Sequence, residues 1–145
     1  MYRGINAINI DDKGRIALPT RYREELDSIV VTIDTEEHCL LLYPFFEWNI
    51  IEAKIEALPS FNPAARRIQR LLIGHATELN LDANGRILLP QILRDYAKLD
   101  KQIMLVGQGK KFEVWSADLW ELRRKEWLNA VTSSELPIEL KSISL

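Results

Sequence analysis

The sequence predicts an α+β protein, rich in strands, made of two tandem pseudo-symmetric units of ββαβ type. Three observations predict it. The signature Asp11-x-x-Gly14-Arg15-x-x-Leu18-Pro19 returns as Asp82-x-x-Gly85-Arg86-x-x-Leu89-Pro90. A pair of apolar residues alternating with polar neighbours precedes each copy, Ile8 and Ile10 first, Leu79 and Leu81 second. After each copy, short apolar runs and a helical stripe follow in the same order. A fixed internal period decides architecture before any local signal does.

An offset of 71 aligns Ile10–Arg23 with Leu81–Arg94 and matches the Asp, Gly, Arg, Ile, Leu, Pro and final Arg. Past small length changes, Val30-Val-Thr-Ile33 matches Ile103-Met-Leu-Val106, and Leu41-Leu-Tyr43 matches Glu113-Val-Trp115. Trp48 matches Trp120. Chance yields a single D-x-x-G-R easily and the whole succession rarely.

The alternating residues suit half-buried strands. Asp-x-x-Gly is turn chemistry: the carboxylate accepts from nearby backbone N–H groups, and glycine tolerates positive φ. Pro19 and Pro90 fit the first turn of a short helix, where no amide donor is needed. Val30–Ile33 and Cys39–Tyr43 flank the polar Asp34-Thr-Glu-Glu37 and predict a hairpin; Gly107-Gln-Gly109-Lys110-Lys111 is the turn of its second copy. Trp48, Ile51, Ile55 and Leu58 fall on one helical face. Pro59-Ser60-Phe61 breaks that helix. Asn62 then reads as an N-cap with Pro63 at the first position, and Gly74 as the helix end. Ile68, Leu71 and Leu72 face inward from this helix, with Arg66, Arg67 and Arg70 on its other side. Ser116 caps a last helix whose stripe is Trp120, Trp127, Leu128 and Val131. The tail after Thr132 has no clear period and is expected to be flexible.

A chain of 145 residues holds one ordinary domain or two very small units. Each unit alone is near the lower limit for folding, so a shared core is expected. The longest apolar runs, such as Cys39–Tyr43, fall far below the roughly 20 residues a membrane span needs. Met1-Tyr-Arg-Gly-Ile-Asn lacks the apolar core of a secretory signal, and the single Cys39 cannot form an internal disulfide. A cytoplasmic protein is expected. A net charge of −2 means that any nucleic-acid contact must rest on a local patch, such as Arg3, Lys13, Arg15, Arg21 and Arg23.

No enzyme is expected: there is no nucleophile–base pair, phosphate-binding glycine loop or metal set. His38 and Cys39 are adjacent on a strand and point to opposite faces. His75 has no companion ligands at metal spacing and reads as local packing. Asp11, Asp12 and Asp82 are explained by their turns. Trp115, Trp120 and Trp127 read as core or interface. No cofactor and no metal are expected. The D-x-x-G-R loop itself leaves two readings open. Its arginine is either salt-bridged to its own aspartate, or aimed at DNA from a turn that fixes its direction. Arginine can donate two parallel hydrogen bonds to guanine in the major groove.

Taken with the opening Arg3-Gly4, Pro19-x-Arg21-Tyr22-Arg23, Leu41-Leu-Tyr43-Pro44, Asn62-Pro63-x-x-Arg66-Arg67 and Gly74-His75-Ala76, these motifs resemble the MraZ family. Its members are bacterial regulators with two SpoVT-AbrB-type units in one chain, and the resemblance covers nearly the whole sequence. It implies a swapped-hairpin barrel with peripheral helices. The corresponding division is a first unit over 5–47, a helical linker over 48–75, a second unit over 76–119, and a C-terminal helix and tail over 120–145. It also implies ring-shaped homo-oligomers, association with the nucleoid, and binding of double-stranded promoter DNA through short direct repeats. The controlled genes would be a division and cell-wall cluster, with repression the expected sign. Arg15 is then the first choice for base readout and Lys13 for phosphate, with Gly14 shaping the loop. Arg3 and Arg21 are weaker candidates for backbone contacts. The second loop has Asn84 where the first has Lys13, so Arg86 is expected to be chiefly structural. The alternative function is an oligomeric protein-interaction scaffold without direct DNA binding.

Overall fold

The computed structural model describes residues 1–130 and 137–143. In chain order the elements are β1 (Ile5–Asn9), β2 (Arg15–Ala17), α1 (Thr20–Arg23), β3 (Ser28–Ile33), β4 (Leu40–Pro44) and α2 (Phe45–Glu56). The helix α3 (Pro63–His75) follows. Then come β5 (Thr77–Asn80), β6 (Arg86–Leu88), α4 (Gln91–Tyr96), β7 (Gln102–Gly107), β8 (Phe112–Ser116) and α5 (Ala117–Ala130). A 3-10 turn spans Ile138–Ser142. The second unit thus repeats the first element for element, and α3 stands between them.

The two units share one antiparallel sheet, ordered β1-β7-β8-β4-β3-β5. Each unit's opening strand pairs with the other unit's hairpin: Ile5 stands opposite Val106, and Leu79 opposite Ile29. Exchanging the units and reversing the order returns the same arrangement, which is the pseudo-symmetry expected from the repeat. The short strands β2 and β6 pair with each other as a separate two-stranded ribbon.

The result differs from a closed barrel. Among the described residues β1 and β5 are the free edges of the sheet. The ribbon strands are three residues each and spend their ladder on one another. Among the described residues a single bridge, Ile10 to Ile16, joins the ribbon to the end of β1, too little to close a ring of strands.

The main core lies between ribbon and sheet. Ile16, Leu18, Ile87 and Leu89 meet Ile29, Val31, Leu40, Leu42, Leu105, Phe112 and Val114, all buried. Full burial of each such side chain contributes about 1.5–3 kcal/mol. A second cluster occupies the opposite face of the sheet, where Val30, Leu41 and Tyr43 lie beneath Trp48 and Ile55 of α2 and Ile68 and Leu72 of α3. Cover on both faces explains why β3 and β4 are almost wholly buried. The buried Thr32 faces the helices and donates its hydroxyl to the Leu72 carbonyl at 2.6 Å, so α3 is tied to β3 without an unpaired polar group.

Local expectations hold with small shifts. Asn62 caps α3, its Oδ1 accepting from the Ala64 and Ala65 N–H groups, with Pro63 first in the helix. Ser116 Oγ accepts from Leu119 N–H at the start of α5. Pro19 and Pro90 occupy the cap positions of α1 and α4, one residue before the first turn. The α2 helix stops at Glu56, so Leu58 leaves the stripe and is exposed. Gly74 does not end α3, which runs on to His75 before Ala76 turns extended. Val131 and the tail through residue 136 lie outside the described residues.

The expected match of Val30 to Ile103 is one residue out: Ile29 stands opposite Leu79 as Ile103 stands opposite Ile8, so Ile29 and Ile103 correspond. Two ring pairs bear out the match of Tyr43 to Trp115 and of Trp48 to Trp120. Tyr43 meets Trp48 with centroids 5.6 Å apart in the first unit, and their counterparts Trp115 and Trp120 are also 5.6 Å apart. Trp127 packs on both tryptophans of the second unit, at 5.7 and 6.0 Å.

Candidate nucleic-acid interface

The repeated loops are built by their aspartates. Asp11 Oδ1 accepts from the Lys13 N–H (3.0 Å) and the Arg15 N–H (2.8 Å), while Oδ2 accepts from Arg15 Nε (2.7 Å). The second loop repeats this: Asp82 Oδ1 takes the Asn84 and Arg86 N–H groups at 2.9 Å, and Oδ2 takes Arg86 Nε at 3.0 Å. The chain reverses at Gly14 and Gly85, whose φ values of +88° and +72° favour glycine.

Both aspartates are held below the usual carboxylate range. For Asp11 the largest cause is the Arg15 backbone N–H, ahead of the Arg15 guanidinium; for Asp82 it is the Arg86 backbone N–H. The turn, more than the ion pair, is what the charged carboxylate serves. The structural reading of the loop is therefore correct as far as it goes: each arginine is salt-bridged to its own aspartate. The pairing uses Nε and leaves the terminal nitrogens of the part-exposed Arg15 without a hydrogen bond among the described residues.

The ribbon decides the direction. Ile16 opposes Ile87, and both are buried in the core. Neighbouring residues on a strand point to opposite faces, and cross-strand partners share a face. Arg15 with Leu88, and Arg86 with Ala17, must therefore project from the outer face. The two loops flank this face, and the structure brings Arg15 and Arg86 together on it diagonally.

Backbone bonds cross between the units here. Leu18 N–H donates to the Gly85 carbonyl and Leu89 N–H to the Gly14 carbonyl, each at 3.0 Å. Two further arginines follow the same exchange. Arg94 Nε donates to the Leu89 carbonyl, and the Arg94 guanidinium lies against Gly14; Arg23 Nε donates to the Leu18 carbonyl and lies against Gly85. Sequence reasoning aligned Arg23 with Arg94 but assigned neither to the loops. The signal was their retention at one offset.

Lys13 is exposed, and its backbone does what the backbone of Asn84 does in the other loop. The fold thus leaves the side chain at this position free to differ. Arg3 and Arg21 belong to another place. Arg21 Nη2 donates to Asn6 Oδ1 at 3.0 Å, its guanidinium lies 4.7 Å from the Tyr22 ring, and the Tyr22 hydroxyl donates to the Arg3 carbonyl. These groups sit at the start of β1, whereas the Lys13-Gly14-Arg15 loop follows its end.

The remaining candidates have local explanations. Cys39 is fully buried and its thiol is pushed well up by that burial, while the exposed His38 ring contacts the Tyr96 carbonyl at 3.2 Å. His75 Nδ1 stands 2.7 Å from the Leu71 carbonyl one turn back. Among the described residues no group of three or more His, Cys, Asp or Glu is placed to hold a metal ion, and no helix is long and apolar enough to cross a membrane.

Strand exchange, crossed loops and paired arginines on one ribbon define a tandem-repeat protein whose two copies complete each other. The family model described as "MraZ protein, putative antitoxin-like" matches residues 1–71 and again residues 72–135. The chain is 60% identical to the transcriptional regulator MraZ of Legionella pneumophila (strain Paris), and 57% identical to that of Coxiella burnetii (strain RSA 493 / Nine Mile phase I), all of both chains being covered each time. The transcriptional regulator MraZ of Alkalilimnicola ehrlichii is 52% identical over the same full coverage. The chain belongs to the MraZ family.

Proposed function

We propose that this chain is a sequence-specific DNA-binding regulator of transcription, reading double-stranded promoter DNA through the first loop. The observation that carries the reading is Arg15, held by Asp11 through Nε on the outer ribbon face, its terminal nitrogens without a hydrogen bond among the described residues. An arginine already held in place loses little freedom on recognition. A bidentate contact to guanine discriminates by about 1–3 kcal/mol. Lys13 beside it supplies a mobile charge for phosphate, with Arg86 a lesser contact from the second loop. The names of the relatives agree with a regulator of transcription.

One loop offers few contacts. Self-association into a ring would repeat it at a fixed spacing, and matching direct repeats would then bind with avidity. Exposed apolar residues on two helices, Phe46 and Ile50 of α2 with Leu122 and Leu128 of α5, support such assembly. The strand exchange is in keeping with a swapped-hairpin origin for the fold. Units over 5–47 and 76–119, action in the cytoplasm at the nucleoid, and repression of a division and cell-wall gene cluster complete the reading.

The test is a gel-shift titration of the promoter upstream of the chain's own gene against scrambled DNA. Arg15→Ala is expected to abolish the preference while light scattering shows an unchanged oligomer. Preference equal to that of the unaltered protein would overturn the assignment. Failure of the unaltered protein to retard any promoter fragment at moderate salt would favour a scaffold without direct DNA binding, the reading to which the exposed apolar helix faces also lend themselves.

A further inference from the structure

The outer face of the sheet is covered unequally. Among the described elements, α2 and α3 pack on strands of the first unit and α5 packs on those of the second. A groove of about 670 Å³ opens beside α5. Its walls include Trp115, Trp120 and Trp127 together with Glu36, Glu37 and Glu113. Asp34 adds a fourth carboxylate, and Lys111 is the cation on the lining, 5.9 Å from the Tyr43 ring. Glu37 is already paired with Arg123 at 2.9 Å, but Glu36 is exposed and, among the described residues, the Glu113 side chain accepts only the Trp115 Nε1 hydrogen bond.

The complementary surface is on α3. Arg66, Arg67 and Arg70 are all exposed on this helix, which holds no Asp or Glu at all. Arg66 and Arg70 are one turn apart and share a face. None of the three has a salt bridge or side-chain hydrogen bond among the described residues. The helix packs over β3, near one end of the sheet order, whereas the groove spans β4, β8 and β7. The two surfaces do not overlap, so one copy can present both at once.

We infer that the α3 arginine face of one copy docks into the tryptophan- and carboxylate-lined groove of the next. Guanidinium groups suit such a site twice over: they pair with carboxylates and stack on the faces of tryptophans. Contact between two different surfaces of the same chain is head-to-tail, the kind that closes into rings when the rotation allows. Burial and the neighbouring Asp34 raise Glu113 in the isolated chain, and an incoming cation would relieve that cost. The inference rests on the ring reading and names the interface that would build it.

Light scattering on the full chain across micromolar concentrations tests it. Arg66→Glu with Arg70→Glu alters only exposed positions and is expected to abolish the oligomer. Glu36→Lys with Glu113→Gln, checked for folding by its melting curve, is expected to do the same. Mixing the two variants should restore assembly, because each then meets a complementary neighbour. A chain carrying all four substitutions should assemble alone. A monomeric unaltered protein overturns the ring reading and this interface together. An oligomer that survives in both variants overturns the interface and leaves the ring standing. Loss in the groove variant alone would place some other segment in the groove and also overturn it.

Discussion

Arg94, from the second unit, lies over Gly14 in the first so closely that a Cβ on Gly14 would stand 2.6 Å from the guanidinium carbon. The arginine is not free to swing away at no cost, because its Nε is bound to the Leu89 carbonyl at 2.9 Å. Leu89 in turn donates its N–H to the Gly14 carbonyl. The proposed reading loop of one unit is thus clamped by the other, and its shape depends on both.

Gly14→Ala should therefore be costly in two ways. The φ of +88° disfavours any side chain, at roughly 1–3 kcal/mol for a residue held in such a region. The added methyl group also displaces Arg94. Gly74→Ala is the matched contrast: it lies on an exposed helix position with no atom within 4 Å of its Cβ, and should gain up to about 1 kcal/mol. Urea unfolding midpoints, compared at constant slope, check both signs.

Much of this was legible in the chain. The duplicated signature predicted the units, the turns and the hairpins, because turn chemistry and apolar alternation are local. The crossing of the units was not legible from residues alone. Alternation in β1 sets which face Ile8 presents but not which strand lies beside it, so the pairing of Ile8 with Ile103 needs the whole sheet. The same limit hid Arg23 and Arg94. Their spacing places them at the end of a short helix in their own unit, and only the crossed backbone bonds carry each guanidinium to the other unit's loop.

The two loop aspartates predict acid sensitivity. Each is held below its ordinary value of 3.8, so the unfolded chain binds protons that the folded chain does not. Their contribution is fully present above that value and is lost as pH falls through the depressed folded one. Asp11→Asn with Asp82→Asn should lower stability at neutral pH and flatten the dependence below about pH 4. Melting temperatures measured from pH 7 down to pH 3 would show it; a slope equal to that of the unaltered protein would remove the aspartates from the account.

The tryptophan cluster predicts graded losses. Trp115 is 1% exposed and touches Trp120 and Trp127, which is 40% exposed. Trp115→Ala should cost about 3–5 kcal/mol, the range for emptying a buried aromatic site. Trp127→Ala leaves a site that water already reaches and should cost clearly less. Denaturant titrations of the two variants side by side would separate them.

Lys13 and Asn84 provide the sharpest comparison between the loops, since each donates its backbone N–H to Oδ1 of its own loop's aspartate, Asp11 and Asp82 respectively. Lys13→Asn copies the second loop into the first and removes one exposed charge without touching the turn. Stability should stay within about 0.5 kcal/mol, as for surface changes away from special features. If Lys13 meets phosphate, affinity should fall by similar factors for promoter and scrambled DNA, and the slope of log affinity against log salt should shrink by about one unit. Arg15→Ala should instead erase the difference between the two DNAs. Fluorescence anisotropy titrations at several salt concentrations distinguish the cases. An unchanged salt slope in Lys13→Asn would show that the lysine makes no phosphate contact, leaving recognition to the arginines of the ribbon.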